Sequence, residues 1–464
     1  MIKVHFIGIG GTGLSAIARV LLERGYPVSG SDRTLSSLGR ELAELGATVH
    51  EGHAAQHVAG ANIVIRSSAI PEDNPEVQAA LAAGIPVLKR ADFLGQLLAG
   101  YDCIAIAGTH GKTTTSCMTA WVLTRLGLDP SYIIGGISKN LGRNAHAGQG
   151  KYFVIEADEY DHMFLGLDPV YAIVTIVEHD HPDCFPTPAD YQAAFVSFVN
   201  KIKPGGSLLA CQDDPGSASL AEGTSLPGRR TATYGISSSA EYSAADITTN
   251  PLGGSDFTLR HASPGTPPQA LVHVSLRLPG LHIVQNAAAV LALVHQLHLP
   301  LESATAALHE FTGTGRRFDL LGEVWGVALY NDYAHHPTEI AATLAAARQY
   351  YPGRRLWAVW QPHTYSRTQT LLDGFISAFK DADQVLVTEI YAAREQQINF
   401  SSSQVVRLMK HPSARFCPTL NSAAATLQSE LKPGDVVLVL SAGDADKITD
   451  QIFQELKKRE TQNG

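Results

Sequence analysis

A glycine-rich turn between an apolar run and a helical pattern carries the residue types of a triphosphate site. The run 103–107 leads into Gly108, Thr109, His110, Gly111, Lys112, Thr113 and Thr114. Glycines let backbone N–H groups turn around phosphate oxygens, and a helix start adds the positive end of its dipole. Lys112 can reach the β- and γ-phosphates, and the Thr113 hydroxyl can coordinate Mg²⁺. The stretch 108–114 predicts an ATP site, although only two residues separate its glycines; an ordinary Gly/Thr turn is the alternative.

A second glycine loop stands near the start of the chain. Gly8, Gly10 and Gly13 follow the strand-like run 4–7, and Asp32 lies near the acidic position of the dinucleotide-binding pattern. This loop suits the pyrophosphate of a nicotinamide dinucleotide and that of a UDP-sugar equally well. A dehydrogenase has no need of a second nucleotide site, so the loop at 108–114 favours the UDP-sugar.

Acidic residues and histidines follow two apolar runs beyond the phosphate loop. The first run ends in Glu156, Asp158, Glu159 and Asp161, and the second ends in the segment 178–181. Crowded carboxylates repel one another unless cations neutralise them, which makes Mg²⁺ a natural occupant. The alternatives are a solvated polar loop and, for His181 within 178–181, a structural histidine bonded to Asp180.

Bulk composition narrows the class of protein. The 464 residues exceed what one hydrophobic core holds and suggest about three domains. A net charge of −9 without a Lys/Arg run argues against nucleic acid or an anionic membrane as partner. The start lacks a signal-peptide layout, and no apolar run reaches about 18 residues. The five cysteines are odd in number and show no metal-like spacing, so we expect reduced thiols and a cytoplasmic protein.

Strand-like and helical patterns alternate along the chain, which predicts α/β domains with parallel wound sheets. Predicted strands are 4–7, 28–32, 63–67, 86–88, 103–107, 153–156, 172–177, 327–330, 356–360, 384–388 and 436–440, with a strand-rich extension over about 222–278. We place the domain boundaries at 1–100, 101–317 and 318–464.

With these motifs in order, the chain resembles the Mur ligase family, the ATP-dependent amide-forming enzymes of bacterial cell-wall synthesis. The matching segments span almost the whole chain: 8–13, 67–70, 74–76, 108–114, 156–159, 178–181, 279–282, 286–287, 316–318, 332–339, 361–368 and 442–444. The resemblance implies a Rossmann-like first domain, a P-loop ATPase-like central domain and a Rossmann-like last domain. It also implies a ligase that joins L-alanine to the lactyl carboxylate of UDP-N-acetylmuramate through an acyl phosphate. ATP and Mg²⁺, or Mn²⁺, would be required, and the enzyme would be a monomer or weak homodimer.

The same resemblance assigns roles to individual residues. Lys112, Glu156, His181, His335 and Arg367 would be catalytic, and Thr113, Glu156 and His181 would hold the metal. The nucleotide would also contact His282, Asn286, Arg317 and Asp332. The UDP-sugar and amino acid would meet Gly8, Gly10, Gly11, Thr12, Gly13, Asp32, Ser67, Ser68, Tyr333, His335, His363 and Arg367. A guanidinium such as Arg367 binds a carboxylate bidentately, and a neutral His335 can accept the proton of an amine. His336 also fits a helix start before Pro337.

The chain departs from the family pattern at a few positions. Ile176 and Ile283 stand where the family usually has Asn, which removes amide hydrogen bonds near the nucleotide. Ser441 replaces a glycine, and Thr364 stands where some members have Arg. The alternatives are a murein tripeptide ligase of cell-wall recycling, a nicotinamide oxidoreductase, and a nucleotide-binding protein without turnover.

Overall fold

The computed structural model describes residues 2–223, 227–263 and 266–463. Three sheets follow one another along the chain, each with helices between its strands, so the predicted α/β class is confirmed. Parts of the predicted extension, 224–226 and 264–265, lie outside the described residues. None of the helices described combines the length and the apolar character needed to cross a bilayer.

The N-terminal sheet is entirely parallel, with strand order β3-β2-β1-β4-β5. Its strands are β1 Val4–Ile7, β2 Val28–Asp32, β3 Thr48–Glu51, β4 Ile63–Arg66 and β5 Val87–Lys89, and its helices are α1 Thr12–Glu23, α2 Ser37–Glu44, α3 Pro75–Ala82 and α4 Arg90–Leu97. Strand β3 was not predicted, because its residues are exposed or half-buried and give no apolar signal.

The central sheet has ten strands in the order β15-β14-β13-β12-β11-β10-β6-β9-β7-β8. The strands are β6 Asp102–Ala107, β7 Ser131–Ile133, β8 Ala145–His146, β9 Tyr152–Glu156, β10 Tyr171–Val174, β11 Ser207–Cys211, β12 Arg230–Gly235, β13 Tyr242–Thr249, β14 Ser255–His261 and β15 Gln269–Ser275. Helices α5 Lys112–Arg125, α6 Pro188–Asn200, α7 Pro215–Gly223, α8 Leu281–Gln296 and α9 Leu301–His309 complete it. Strands β13, β14 and β15 pair antiparallel and form the predicted extension.

The C-terminal sheet has the order β16-β17-β21-β18-β19-β20, parallel except for β16 against β17. The strands are β16 Asp319–Val324, β17 Val327–Asp332, β18 Leu356–Trp360, β19 Gln384–Val387, β20 Ala414–Phe416 and β21 Val436–Leu440. The helices are α10 Pro337–Tyr350, α11 Tyr365–Thr370, α12 Leu372–Phe375, α13 Ser402–Leu408, α14 Leu420–Glu430 and α15 Asp446–Asn463. Two short 3₁₀ segments, Ala55–Val58 and Tyr160–Gly166, lie in the first two domains.

The centre of the ten-stranded sheet positions the candidate site. Strand β6 is parallel to β9 on one side and to β10 on the other, and these strands are almost completely buried. Because carboxyl ends of parallel strands meet at one edge, the residues after β6, β9 and β10 come together there. These are the phosphate loop, Glu156 and the segment 178–181.

Candidate active site

A large cavity of about 790 Å³ lies where the three domains meet. Its wall includes residues from the first glycine loop, the phosphate loop, the acidic strand ends and the third domain: Thr12, Gly13, Lys112, Thr113, Glu156, Glu159, His181, Tyr333 and His335. A smaller cavity of about 110 Å³ lies on the other side of the phosphate loop. The geometry therefore offers two neighbouring spaces that share Gly111, Thr113, Arg317 and Glu339.

The phosphate loop needs its glycines for steric reasons. Gly108 has φ +133°, and a Cβ there would lie 2.0 Å from the Thr175 hydroxyl oxygen. Gly111, with φ +82°, precedes the first residue of α5. Lys112 and Thr113, the first residues of α5, line the large cavity, so the positive end of the helix dipole faces it.

Lys112 is anchored below the loop by a residue that the sequence analysis left without a role. Its Nζ lies 3.0 and 2.8 Å from the two carboxylate oxygens of Glu159 and also donates to the Gly108 carbonyl. Burial raises the pKa of Glu159 to about 7, although the Lys112 charge opposes this shift. Tyr191 donates a further hydrogen bond to Glu159 over 3.1 Å. The sequence signals for Glu159 were its place in the acidic run and in the family-matching segment 156–159, and neither assigned it a role.

The three predicted metal ligands line the same cavity. The Thr113 hydroxyl donates to Glu156 Oε1 over 3.0 Å, and the Gly135 N–H donates to Oε2 over 2.7 Å. Burial lowers the pKa of His181 to about 4, so its imidazole is neutral at pH 7 and has a lone pair for a cation. A hydroxyl, a carboxylate and a neutral imidazole form a donor set that fits Mg²⁺ or Mn²⁺.

The smaller cavity contains the residues expected to meet the nucleotide. His282 and Asn286 lie on the first turns of α8, and Arg317 and Asp332 come from the junction with the third domain. Burial lowers the pKa of His282 to about 4, and burial raises that of Asp332 to about 6. Asn286 packs against the phosphate loop, since a Cβ on Gly111 would lie 2.9 Å from its Oδ1.

Both isoleucines that depart from the family pattern line this smaller cavity. Ile176 follows β10, and Ile283 lies beside His282 on α8. Together with Tyr234, Leu278 and Pro279 they give the cavity a mainly apolar wall. The two positions at which the family usually has Asn therefore lie on the wall of the same cavity.

The contacts of Arg367, the residue that the family resemblance assigns to the amino-acid carboxylate, lie within the protein. Its Nε and Nη2 donate to Asp180 at 2.7 and 3.1 Å, and its Nη1 donates to His363 Nδ1 at 3.1 Å. Asp180 is buried and its charge requires a partner, so the bidentate face of Arg367 is already used. Within the described part of the chain, the large cavity's wall includes Tyr333 and His335 but neither His363 nor Arg367.

The first glycine loop is held by its own backbone and by Asp32. The Gly10 N–H donates to Asp32 Oδ2 over 2.9 Å, and the Gly8 N–H donates to the Ser31 carbonyl. Of the predicted stretch 8–13, Thr12 and Gly13 are the described residues that line the large cavity. Asp32 thus braces the loop. Of the serines after β4, Ser67 accepts from the Ala69 N–H, and Ser68 donates to Asp161 in the central domain.

Profiles of known families match the chain in three consecutive segments. Residues 3–102 match "Mur ligase family, catalytic domain", residues 106–294 match "Mur ligase middle domain", and residues 316–443 match "Mur ligase, glutamate ligase domain". The chain belongs to the Mur ligase family. The resemblance drawn from the motifs is thereby confirmed.

Relatives of this Mur ligase share one printed name. The UDP-N-acetylmuramate–L-alanine ligase of Leptothrix cholodnii is 40% identical over 98% of both chains. That of Salinibacter ruber is 41% identical over 95% of this chain and 92% of its own. Among solved structures, UDP-N-acetylmuramate-alanine ligase MurC from Thermotoga maritima matches with TM-score 0.82 and 26% identity over 99% of this chain and 100% of that chain. A murein peptide ligase from Psychrobacter arcticus matches with TM-score 0.72 and 25% identity over 98% and 99%.

Two arginines that line the large cavity of this Mur ligase, Arg90 and Arg394, escaped the sequence analysis. Arg90, at the start of α4, lines the large cavity beside Gly13, where an added Cβ would lie 1.8 Å from its Nη1. Its Nη2 donates to Asp158 Oδ2 over 3.1 Å. A single arginine between a short strand and a helix gives no motif, so the signal was absent from the sequence.

Proposed function

We propose that this chain is an ATP-dependent ligase that joins L-alanine to the lactyl carboxylate of UDP-N-acetylmuramate. The observation that carries the proposal is the large cavity, since one space is lined by Thr12 and Gly13, by Lys112, and by His335. A sugar nucleotide, a transferable phosphoryl group and an amine can therefore meet there. The relatives at about 40% identity bear the name of this activity and support the choice of substrates.

The reaction has two steps in this proposal. The lactyl carboxylate oxygen attacks the γ-phosphorus of ATP, the bond to the bridging oxygen breaks, and ADP leaves with that electron pair. The alanine amine then attacks the acyl carbon, and inorganic phosphate leaves as the amide forms. Lys112 lies at the start of α5, where its ammonium can neutralise the transferred phosphoryl group once it releases Glu159.

Thr113, Glu156 and His181 would hold Mg²⁺ or Mn²⁺, which supplies neutralisation of phosphate charge when bound. His282, Asn286, Arg317 and Asp332 would surround the ATP nucleoside in the smaller cavity. The first glycine loop, Arg90 and the serines at 67–68 would hold the UDP-sugar. Tyr333 and His335 would face the amine, with His363 and Arg367 behind them.

The wider organisation follows from these roles. The ranges 1–100, 101–317 and 318–464 would be the UDP-sugar, ATP and amino-acid domains. Water would hydrolyse an acyl phosphate. Closure of the third domain would therefore complete the active site and also exclude water from it. The enzyme would work in the cytoplasm as a monomer or weak homodimer.

The test is phosphate release with ATP, Mg²⁺ and UDP-N-acetylmuramate while the amine is varied among L-alanine, glycine, L-serine and the murein tripeptide. We expect turnover with L-alanine. Turnover with the tripeptide alone would assign the chain to the recycling reaction. Binding of the UDP-sugar with no release of phosphate in the presence of any of these amines would identify a nucleotide-binding protein without turnover.

A further inference from the structure

Glu339, in the first turn of α10, divides its two oxygens between two parts of the site. Oε2 lies 3.1 Å from the His335 backbone nitrogen and 3.2 Å from its Nδ1. Oε1 lies 3.1 Å from His110 Nδ1 and 3.5 Å from Arg317 Nη1. The side chain is only 10% exposed. One carboxylate thus joins the phosphate loop, the domain junction and the proposed amine side.

The contacts of His335 determine which of its nitrogens carries the proton. Nδ1 lies 2.8 Å from the Tyr333 carbonyl oxygen and 3.2 Å from Glu339 Oε2, and both of these atoms are acceptors. Nδ1 therefore bears the hydrogen, and in the neutral ring Nε2 keeps its lone pair. The Tyr333 carbonyl, which accepts the Nδ1 hydrogen, fixes this tautomer. The Glu339 carboxylate lies 3.2 Å from the same nitrogen, where its negative charge stabilises the imidazolium that forms.

The phosphate loop holds the same carboxylate from the other side. Both ring nitrogens of His110 face carboxylates, Nδ1 that of Glu339 and Nε2 that of Glu178 at 3.3 Å. Nε2 forms a hydrogen bond with Glu178, and the Glu339 charge lies 3.1 Å from Nδ1, so two carboxylates beside one ring favour the imidazolium. Burial lowers the pKa of His110, but Glu339 and Glu178 outweigh it and raise the pKa to about 9.

Helix capping does not account for this arrangement. As the third residue of α10, Glu339 accepts from the His336 backbone N–H over 3.4 Å with Oε2, which completes a capping box. Capping uses one oxygen and leaves the direction of Oε1 unexplained. Nor do the neighbouring His110, Glu178 and His336 require a cation, because both Glu178 oxygens already accept from the Thr338 hydroxyl at 3.0 and 2.7 Å.

We infer that Glu339 is a positioning residue that orients His335 for the amide-forming step, an inference that rests on the proposed function. In that step the amine lone pair forms the C–N bond to the acyl carbon. The C–O bond to phosphate breaks, and its electron pair leaves with the phosphate. Before the attack, His335 Nε2 takes one proton from the alanine ammonium, which frees the lone pair, and Glu339 balances the resulting imidazolium charge. The second proton, which the nitrogen loses as the amide forms, leaves on the phosphate.

The experiment compares two nucleophiles in the full-length enzyme and in Glu339→Gln. L-Alanine reaches the site as an ammonium ion and must lose a proton, whereas hydroxylamine is largely unprotonated at neutral pH and gives a hydroxamate. We expect the Glu339→Gln kcat with L-alanine to fall about tenfold to a hundredfold. The rate of hydroxamate formation and the KM for UDP-N-acetylmuramate should each stay within about twofold of the wild-type value. A purely structural role of Glu339 would instead lower the rates with both nucleophiles by the same factor.

Matched variants complete the design. Glu302→Gln, in the exposed first turn of α9, should leave both rates unchanged. In a His335→Gln background, adding Glu339→Gln should cost nothing further. If Glu339→Gln does not fold, Glu339→Asp is used instead, because it keeps the negative charge but places it farther from His335. A loss of kcat with L-alanine but not with hydroxylamine is again expected.

Equal loss with both nucleophiles, or no loss with either, would overturn the inference. A wild-type enzyme that forms neither alanine amide nor hydroxamate would instead reject the proposed function.

Discussion

Glu76 provides a test of how the first domain supports its nucleotide loop. This carboxylate is completely buried between α3 and the sheet, and it accepts hydrogen bonds from His57 Nδ1 at 2.7 Å, the Ala54 N–H at 3.1 Å, the Ser31 hydroxyl at 2.5 Å and His5 Nε2 at 3.2 Å. Burial alone would raise its pKa, but these donors outweigh burial and lower the pKa from 4.5 to about 2. At about 1.4 kcal/mol for each pKa unit, the ionised carboxylate contributes about 3 kcal/mol to folding at neutral pH.

We therefore expect Glu76→Gln to destabilise the first domain by about 3 kcal/mol at pH 7. Native-state hydrogen exchange measures this locally, and the amides of β1 and β2 should exchange about a hundredfold faster. Because the folded-state pKa is lowered, the contribution is present above pH 4.5 and is lost as the pH falls through about 2. The difference in free energy of unfolding between the wild type and Glu76→Gln should therefore become smaller as the pH falls from 4.5 to about 2.

The same substitution should weaken UDP-sugar binding. The Ser31 carbonyl accepts from the Gly8 and Ile9 N–H groups at 2.8 and 3.0 Å, so the loop depends on the strand that Glu76 holds. ATP affinity should not change. The control is Glu72→Gln, whose carboxylate pairs with Arg66 and is 74% exposed. Exchange in β1 and β2 that is equally slow in wild type and Glu76→Gln would refute the reasoning.

Three further outcomes are expected. Lys112→Ala should lower the rate of phosphate release about a hundredfold or more and leave the affinity for the UDP-sugar unchanged. A phosphate assay measures the first and isothermal titration calorimetry the second. Equal loss of both would contradict separate nucleotide sites. Asp180→Asn leaves Arg367 buried without its carboxylate partner and should lower the free energy of unfolding by about 3–5 kcal/mol. The control is Asp183→Asn, which removes the partner of the more exposed Arg394 and should lower it by under about 1 kcal/mol. An unchanged melting temperature for Asp180→Asn would contradict a stabilising role of the buried Asp180–Arg367 ion pair. A chelator should stop turnover and Mn²⁺ should restore it; turnover that persists in the chelator would exclude the metal role.

Elements with a strong local pattern were predictable. Strands β1, β2, β18 and β21 were predicted with the bounds that the structure has, because each is a continuous run between turns. Strands β3, β16 and β20 were missed, since they lie at sheet edges and expose much of their surface. Strands β7, β8 and β11 were missed as well, although all five residues of β11 are buried. The prediction that His336 begins a helix is confirmed, as it is the N-cap of α10. The domain boundaries and the roles of the site residues stay predictions.

Arg367 and Glu339 mark the limit of reasoning from spacing. Arg367 is 187 residues from Asp180, and no local pattern indicates that their charges neutralise each other. Glu339 has the sequence position of a capping residue, and the phosphate-loop contact of its second oxygen depends on how two domains pack. Charges on separate domains acquire partners only when those domains meet.

The sequence by itself determined where glycines, a lysine and carboxylates suited to phosphate and a cation follow buried strands, because the requirements for these residue types are local. The tertiary structure alone decided that Glu159 holds Lys112, that Asp180 occupies Arg367, and that Glu339 spans His110 and His335. Buried charges must be paired, and which partner each one meets is set by the packing of segments far apart in sequence.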